Sequence, residues 1–218
     1  MLMTDSNPFQ DEKIAVHYED WYKTSGKKAD VQEKALLESL LCHFPDAKTI
    51  LEVGCGTGHF TRWFRTLGYA AFGLDRSRNM LRQAVNAYPV SCHQGDALAL
   101  PFASQTFDIV ALITTLEFIS EPTQALSEAL RITQRGILLG VINQHSWLGW
   151  RYRLKGGPIW KSAELYSPAR LKRLLSMVIA QEYEVAVKTT LCPFTSGVSK
   201  LPWGGFIGLA AKLVDKGG

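Results

Sequence analysis

The sequence predicts an α/β fold, a sheet whose strands alternate with helices along the chain. Three observations predict it. The stretch from Thr49 to Phe60 runs from apolar Ile50, Leu51 and Val53 through Gly54, Gly56 and Gly58 into a segment of helical spacing. Further strand-length runs at 69–75, 90–97, 106–113 and 136–142 are separated by segments with helical periodicity. Residues 109–113 and 137–142 carry unbroken apolar runs, the pattern of parallel strands covered on both faces.

The glycine stretch narrows the ligand. A ligand here would lie at the carboxyl end of a strand and the start of a helix, where open α/β sheets bind. A dinucleotide fingerprint needs glycine at position 59, where His59 stands, and the lysine of a P-loop is absent. A tight structural turn is the competing reading of the glycines. Asp75 closes the 69–75 strand where an acid binding a ribose is expected, and it also suits a helix cap, a role open to Ser77. Asp96, leaving the 90–97 strand, suits either an exocyclic amine such as adenine's or a turn.

The remaining elements follow in order. Residues 1–13 read as a loose polar leader without the apolar core of a signal peptide. Tyr18, Trp21 and Tyr22 belong to an edge helix packed on the core or to a lid over a bound cofactor. Val31, Ala35, Leu37, Leu40 and Leu41 mark a helix ending before Pro45. Phe60, Trp63, Phe64 and Leu67 mark the helix after the glycines, Met80, Leu81, Ala84 and Val85 the next, and Pro122 opens another. Between 144 and 166 aromatics and basic residues interleave, as a substrate-side lid or a packed surface helix. Ser167-Pro168 starts a helix, and strands at 184–190 and 205–212 follow with no helix between, which predicts an antiparallel pair.

The 218 residues carry a net charge of +4, enough to tolerate an anionic partner but too little to demand nucleic acid. Cys42, Cys55, Cys92 and Cys192 show neither a redox pair spacing nor a zinc pattern. They read as reduced, mostly buried thiols of a cytoplasmic protein without a metal or a transmembrane segment. One domain over 1–218 is expected.

Glu52-Val53-Gly54-Cys55-Gly56-Thr57-Gly58, Asp75, Gly95-Asp96-Ala97 and Phe107-Asp108-Ile109-Val110, in that order, resemble the class I S-adenosylmethionine (SAM) dependent methyltransferases, in particular the small-molecule, type 11-like group. The resemblance spans roughly residues 15 to 213. It implies a Rossmann-like seven-stranded sheet, mostly parallel with strand 7 antiparallel and helices on both faces. The cofactor would be SAM, with S-adenosylhomocysteine (SAH) as product. Glu52 and the turn Gly54, Cys55, Gly56 and Gly58 would hold the methionine end. Asp75 would bind the ribose, Arg76 and Met80 would lie beside the adenosine, and Asp96 and Ala97 would read the adenine. Residues 114–118, with Leu116 among them, would line the cofactor near its methyl group. Many relatives have Leu-Glu-His where this chain has Leu116-Glu117-Phe118, and Thr133-Gln134-Arg135-Gly136 replaces a usual Lys-Pro-Gly-Gly.

The function this implies is methyl transfer to a small-molecule acceptor by in-line displacement, in which holding the nucleophile in line is the protein's main task. An RNA- or lipid-precursor-directed methyltransferase and a non-catalytic SAM- or SAH-binding protein are the alternatives. Candidate substrate residues are Glu117, His145, Trp147, Tyr152, Trp160 and Tyr166. Glu117, His145 and Tyr166 are candidate bases, and no catalytic residue is assigned.

Overall fold

Seven strands form one sheet in a computed structural model of the chain, which describes residues 8–87, 90–155, 157–192, 197–199 and 202–214. The strands are β1 (Thr49–Val53), β2 (Ala70–Asp75), β3 (Cys92–Gln94), β4 (Phe107–Ile113), β5 (Thr133–Ile142), β6 (Tyr183–Thr190) and β7 (Phe206–Leu213). Their order is β3-β2-β1-β4-β5-β7-β6. The first five pair in parallel, and β7 runs antiparallel to both β5 and β6. The order reverses between β1 and β4, which opens a crevice beyond their carboxyl ends.

Successive strand residues point to opposite faces, so each buried strand feeds two cores. Leu51, Val110 and Leu139 pack on one face with Leu126 of α5 (Pro122–Ile132) and Leu171 and Leu175 of α8 (Pro168–Val178). Ile50, Ile109 and Leu138 pack on the other with Leu36, Leu37 and Leu40 of α2 (Lys27–Leu41) and Phe60 and Phe64 of α3 (His59–Thr66). α2 sits directly on β7 because Gly208 has no side chain: a Cβ there would stand 1.9 Å from Leu36 Cδ2. Helix α4 (Arg78–Ala87) packs on β2 and β3 and buries Met80 and Ala84.

Asp108 of the Phe107-Asp108-Ile109-Val110 motif lies at the end of the sheet remote from the glycine turn. Its Oδ2 accepts hydrogen bonds from Lys48 N (2.8 Å), Thr49 N (2.9 Å) and Thr49 Oγ1 (2.9 Å), and Arg135 Nε stands 3.1 Å from Oδ1. The carboxylate thus pins the start of β1 to β4. Asp108→Ala strips these donors of their acceptor and is expected to cost about 2–3 kcal/mol. Urea unfolding measures this, and a loss below ~0.5 kcal/mol would remove the pinning role.

Some expectations fail for local reasons. Val31 and Ala35 are exposed, and Glu33 takes the inward position beside Leu36 and Leu37. The predicted strand at 90–97 keeps only three residues, because Asp96 Oδ1 accepts Leu98 N (3.0 Å) and turns the chain. The leader is not loose from residue 8 onward. Pro8–Gln10 forms a 3₁₀ turn, and α1 (Glu12–Lys23) starts at the cap Asp11. Phe9 and Gln10 carbonyls accept hydrogen bonds from Ser77 Oγ (2.6 Å) and Asn79 Nδ2 (2.7 Å). Only Cys55 is buried, Cys92 and Cys192 are half-buried and Cys42 is exposed, so the thiols are not mostly buried. Among the described residues no helix is long and apolar enough to cross a membrane.

Candidate active site

The glycine turn is shaped by what surrounds it. Gly54 and Gly56 both have positive φ, 75° and 53°, which glycine adopts without strain. A Cβ on Gly54 would lie 2.2 Å from Thr115 Cγ2, whereas one on Gly56 would meet nothing within 4 Å and would project into open space. The N–H groups of Gly54 and Cys55 donate to Leu74 O (2.7 and 3.0 Å), tying the turn to β2. Asp75 completes the tie: its Oδ2 accepts Gly56 N (2.7 Å) and its Oδ1 accepts Ser77 N (2.7 Å). Burial raises the Asp75 carboxyl above its ordinary value, opposed by these backbone N–H bonds.

The turn borders a cleft of about 600 Å³. Glu52, Asp75, Arg76, Asp96 and Ala97 face it from the strands and the turns after them, Met80 from α4, and Tyr18 and Tyr22 from α1. Glu52 is buried, its Oε2 accepts a hydrogen bond from Thr61 Oγ1, and burial pushes its carboxyl up to about 8. Burial also keeps the Tyr18 phenol neutral, pushed up to about 12.

A polar clamp holds α1 over the cleft. Glu19 Oε1 accepts Thr57 Oγ1 (2.6 Å) and Arg62 Nη2 (2.7 Å), joining α1 to the residues just beyond the glycines. His59 stacks on Tyr22 with ring centroids 3.6 Å apart. Its Nδ1 is 3.5 Å from Glu19 Oε2, and its Nε2 is 2.7 Å from Asp30 Oδ1 and 2.8 Å from Lys34 Nζ. Burial works against a charged imidazole, but the bonds to Asp30 and Glu19 outweigh it and raise the His59 pKa above 6.5. Protonated, Nε2 donates to Asp30, and Lys34 is satisfied by Asp30 Oδ2 at 2.8 Å. Glu19 goes the other way: burial alone would raise it, but bonds from His59, Thr57 and Arg62 hold it down to about 2.

The pH dependence follows from these directions. The raised His59 contributes stability that is complete below its unfolded value and lost as pH rises through the folded one. The depressed Glu19 contributes stability above its unfolded value that is lost as pH falls toward about 2. The clamp is therefore strongest in mildly acidic solution. Melting temperature followed from mildly acidic to mildly alkaline pH should fall more steeply in the wild type than in His59→Gln. Parallel curves would remove the histidine from the clamp.

A second chamber of about 450 Å³ adjoins the first. Tyr18, Tyr22, Thr114 and Phe118 border both. Its far wall is Trp21, with Tyr152 of α6 (Trp147–Lys155) and Trp160 of α7 (Gly157–Lys161), whose rings stack at 4.1 Å. Thr114, at the exit of β4, has a φ of 49°, uncommon for a β-branched residue, and stands at the boundary between the chambers. Phe118, where the resemblance led to a histidine, packs edge-on to Phe9 (4.9 Å), so an aromatic ring and not a base occupies this position.

Comparison with known proteins agrees with this fold. The family described as "Methyltransferase domain" matches residues 51–139. An uncharacterized protein of Methanocaldococcus jannaschii is 32% identical over 147 residues, 66% of either chain. A demethylmenaquinone methyltransferase of Renibacterium salmoninarum is 38% identical over 88 residues, 40% of this chain and 37% of that one. A SAM-dependent methyltransferase of Thermotoga maritima superposes with a TM-score of 0.77 at 26% identity, covering 92% of this chain and 96% of its own. The chain belongs to the class I SAM-dependent methyltransferases. SAM is its cofactor. The magnesium protoporphyrin IX methyltransferase of Synechocystis, solved with SAH, shares the fold (TM-score 0.67, 16% identity, 95% of this chain and 98% of that one). The matched stretches span 66% and 37% of the lengths of the two curated relatives.

Not every residue expected at the methyltransferase site reaches it. Trp21 borders the second chamber and not the cleft. Gly58 caps α3, where a Cβ would lie 2.9 Å from Val90 Cγ1, so its role is packing. Leu116 is fully buried in the core and shows the cleft nothing. On the substrate side, Tyr152 and Trp160 converge on the second chamber, and Glu117 faces the cleft. His145 is exposed and bonds to Gln144, and Trp147 is exposed and stacks on Trp150. Tyr166 lies wholly in the core, its hydroxyl donating to Leu116 O (3.2 Å), and neither it nor His145 lines either chamber. Sequence reasoning missed Phe9, Glu33 and His59. Of these only His59, directly after the glycine motif, carried a local signal.

Proposed function

We propose that the methyltransferase transfers the methyl group of SAM to a small, ring-bearing molecule held in the aromatic chamber. The contiguity of the two chambers across Tyr18, Thr114 and Phe118 carries this reading. The residues present fit the cofactor: Gly56 leaves room for a ligand against the backbone, and Asp75 and Asp96 supply acceptors at successive strand ends. Asp75 would hold the ribose hydroxyls, Asp96 and Ala97 the adenine, and Glu52 with the turn the methionine end. When bound, SAM supplies an activated methyl group on a sulfonium.

The chain's own contribution is positioning and the exclusion of water. Tyr18 and Tyr22 present aromatic faces, which attract a sulfonium cation. Glu117 Oε1 accepts Ile142 N (2.7 Å), which fixes the end of β5, while its Oε2 has no hydrogen-bond partner among the described residues. Burial pushes that carboxyl up to about 8. A chamber of this size falls within the usual range for small-ligand sites, and its wall is mostly apolar. Relatives include methyltransferases of demethylmenaquinone and of malonyl-[acyl-carrier protein], so acceptors differ among relatives.

A screen of small aromatic acceptors with methyl-labelled SAM tests the reading. Trp160→Ala should raise KM for the acceptor by about tenfold or more while leaving SAH affinity unchanged. Equal loss of SAH affinity and acceptor transfer would place Trp160 on the cofactor instead.

A further inference from the structure

One buried carboxyl in the second chamber is unaccounted for by fold or cofactor. Glu33 projects from α2 among leucines, is 6% exposed and lines the aromatic chamber. Among the described residues it makes no hydrogen bond and no ion pair. The cations nearest it are committed elsewhere. Lys34 pairs with Asp30 at 2.8 Å, and His59 lies between Asp30 and Glu19. Lys13 and His17 also line the chamber, but both are exposed and so belong to its rim, and His17 faces Asp20 at 3.3 Å.

Leaving a carboxyl unpaired in an apolar wall is costly. Burial pushes Glu33 up to about 8, with Asp30 adding to the rise and His59 and Lys34 opposing it. Burial is also the main cause that raises Tyr22, Tyr152 and Glu117, and an ionised Glu33 would add to it, so a cation seated here would favour the charged form of Glu33. The stacked Tyr152 and Trp160 rings, with Tyr22 and Phe118, offer the electron-rich faces that attract cations. Aromatic faces around one unpaired carboxyl suit a positive nitrogen. Among the described residues no buried cation lines the chamber to offset this carboxyl for an anionic acceptor.

We propose that the acceptor carries a basic nitrogen, which pairs with Glu33 while an attached ring or chain packs on Tyr152 and Trp160. The proposal rests on the assignment of the second chamber to the acceptor. Glu33 is here a binding and specificity residue. A nitrogen held against it lies in the space bordering Thr114 and Phe118, next to the cofactor cleft.

Binding to the full chain saturated with SAH tests this without turnover. The probes are 2-phenylethylamine, its neutral counterpart 2-phenylethanol and the anion phenylacetate, followed by calorimetry and by tryptophan fluorescence. The amine should bind about tenfold more tightly than the alcohol, and the anion should bind most weakly. Glu33→Gln should abolish the preference for the amine while leaving SAH affinity unchanged. Glu33→Leu, which removes the buried polar group and keeps the helix former, should do the same and guards against a folding artefact. Equal binding of amine and alcohol, a preference that survives both substitutions, or no binding of any probe would overturn the proposal. SAH binding without the amine preference would overturn this inference alone. Failure of SAH itself to bind would overturn the reading of the cleft beneath it.

Discussion

Asp75→Ala lowers SAH affinity by about a hundredfold, the largest loss expected from any single side chain of the cleft. Two effects combine. The carboxylate is the acceptor assigned to the ribose hydroxyls, and hydrogen bonds to a charged group contribute roughly 1.5–3 kcal/mol each. It also holds Gly56 N at 2.7 Å and Ser77 N at 2.7 Å, so its removal loosens the turn that lies against the cofactor. Asp75→Asn separates the two contributions. The amide keeps one acceptor oxygen but turns an NH₂ toward one of the two backbone N–H donors, so an intermediate loss is expected. Calorimetric titration with SAH, with melting curves as the control for folding, makes the measurement. Unchanged affinity in Asp75→Ala would refute the ribose assignment.

Glu19→Ala has the second large effect, and it reaches the cofactor without touching it. Glu19 is the acceptor that joins α1 to Thr57 and Arg62, and its side chain is only 15% exposed. Removing one partner of a buried charged cluster costs about 3–5 kcal/mol in the fully buried limit, and less here, because the others are left unsatisfied. Part of that loss appears as lower stability and part as easier opening of α1, which carries Tyr18 and Tyr22 over the cleft. SAH should dissociate about tenfold faster from Glu19→Ala, with a smaller change in association. The exposed pair of His17 and Asp20 on the same helix is the control. His17→Ala should change neither stability nor SAH release, since exposed pairs contribute little. Equal dissociation rates in Glu19→Ala and wild type would mean that α1 does not retain the cofactor.

The cofactor side of the site was legible in the sequence because its determinants are local. Glycines at alternate positions after an apolar strand, and acids at successive strand ends, mark the same crevice by chain position alone. The sheet was legible for a similar reason: runs such as 109–113 and 137–142 fit only strands covered on both faces. The second chamber was not legible, because it is assembled largely from α1, α2, α6 and α7, which meet only in three dimensions. Aromatic residues mark packing as readily as binding. Tyr166 and Trp160 look alike in the sequence, yet one fills the core and the other a chamber wall. Glu33 was hidden by a different effect. Charged residues in an amphipathic helix ordinarily face water, and Val31 was the natural choice for the buried face. The packing of α2 on β7, made close by Gly208, turns Glu33 inward instead. The leader was misjudged because its anchors are backbone carbonyls at Phe9 and Gln10, which have no sequence signature.

The most direct measurement is a crystal structure of the chain with SAH bound. The central claim is that the cofactor's sulfur faces the aromatic chamber across Tyr18, Thr114 and Phe118. The expected result has the ribose on Asp75, the adenine beside Asp96 and Ala97, and the sulfur opening toward Tyr152 and Trp160. A sulfur pointing away from that boundary, or an SAH molecule lying in the aromatic chamber itself, would contradict the assignment of the two spaces.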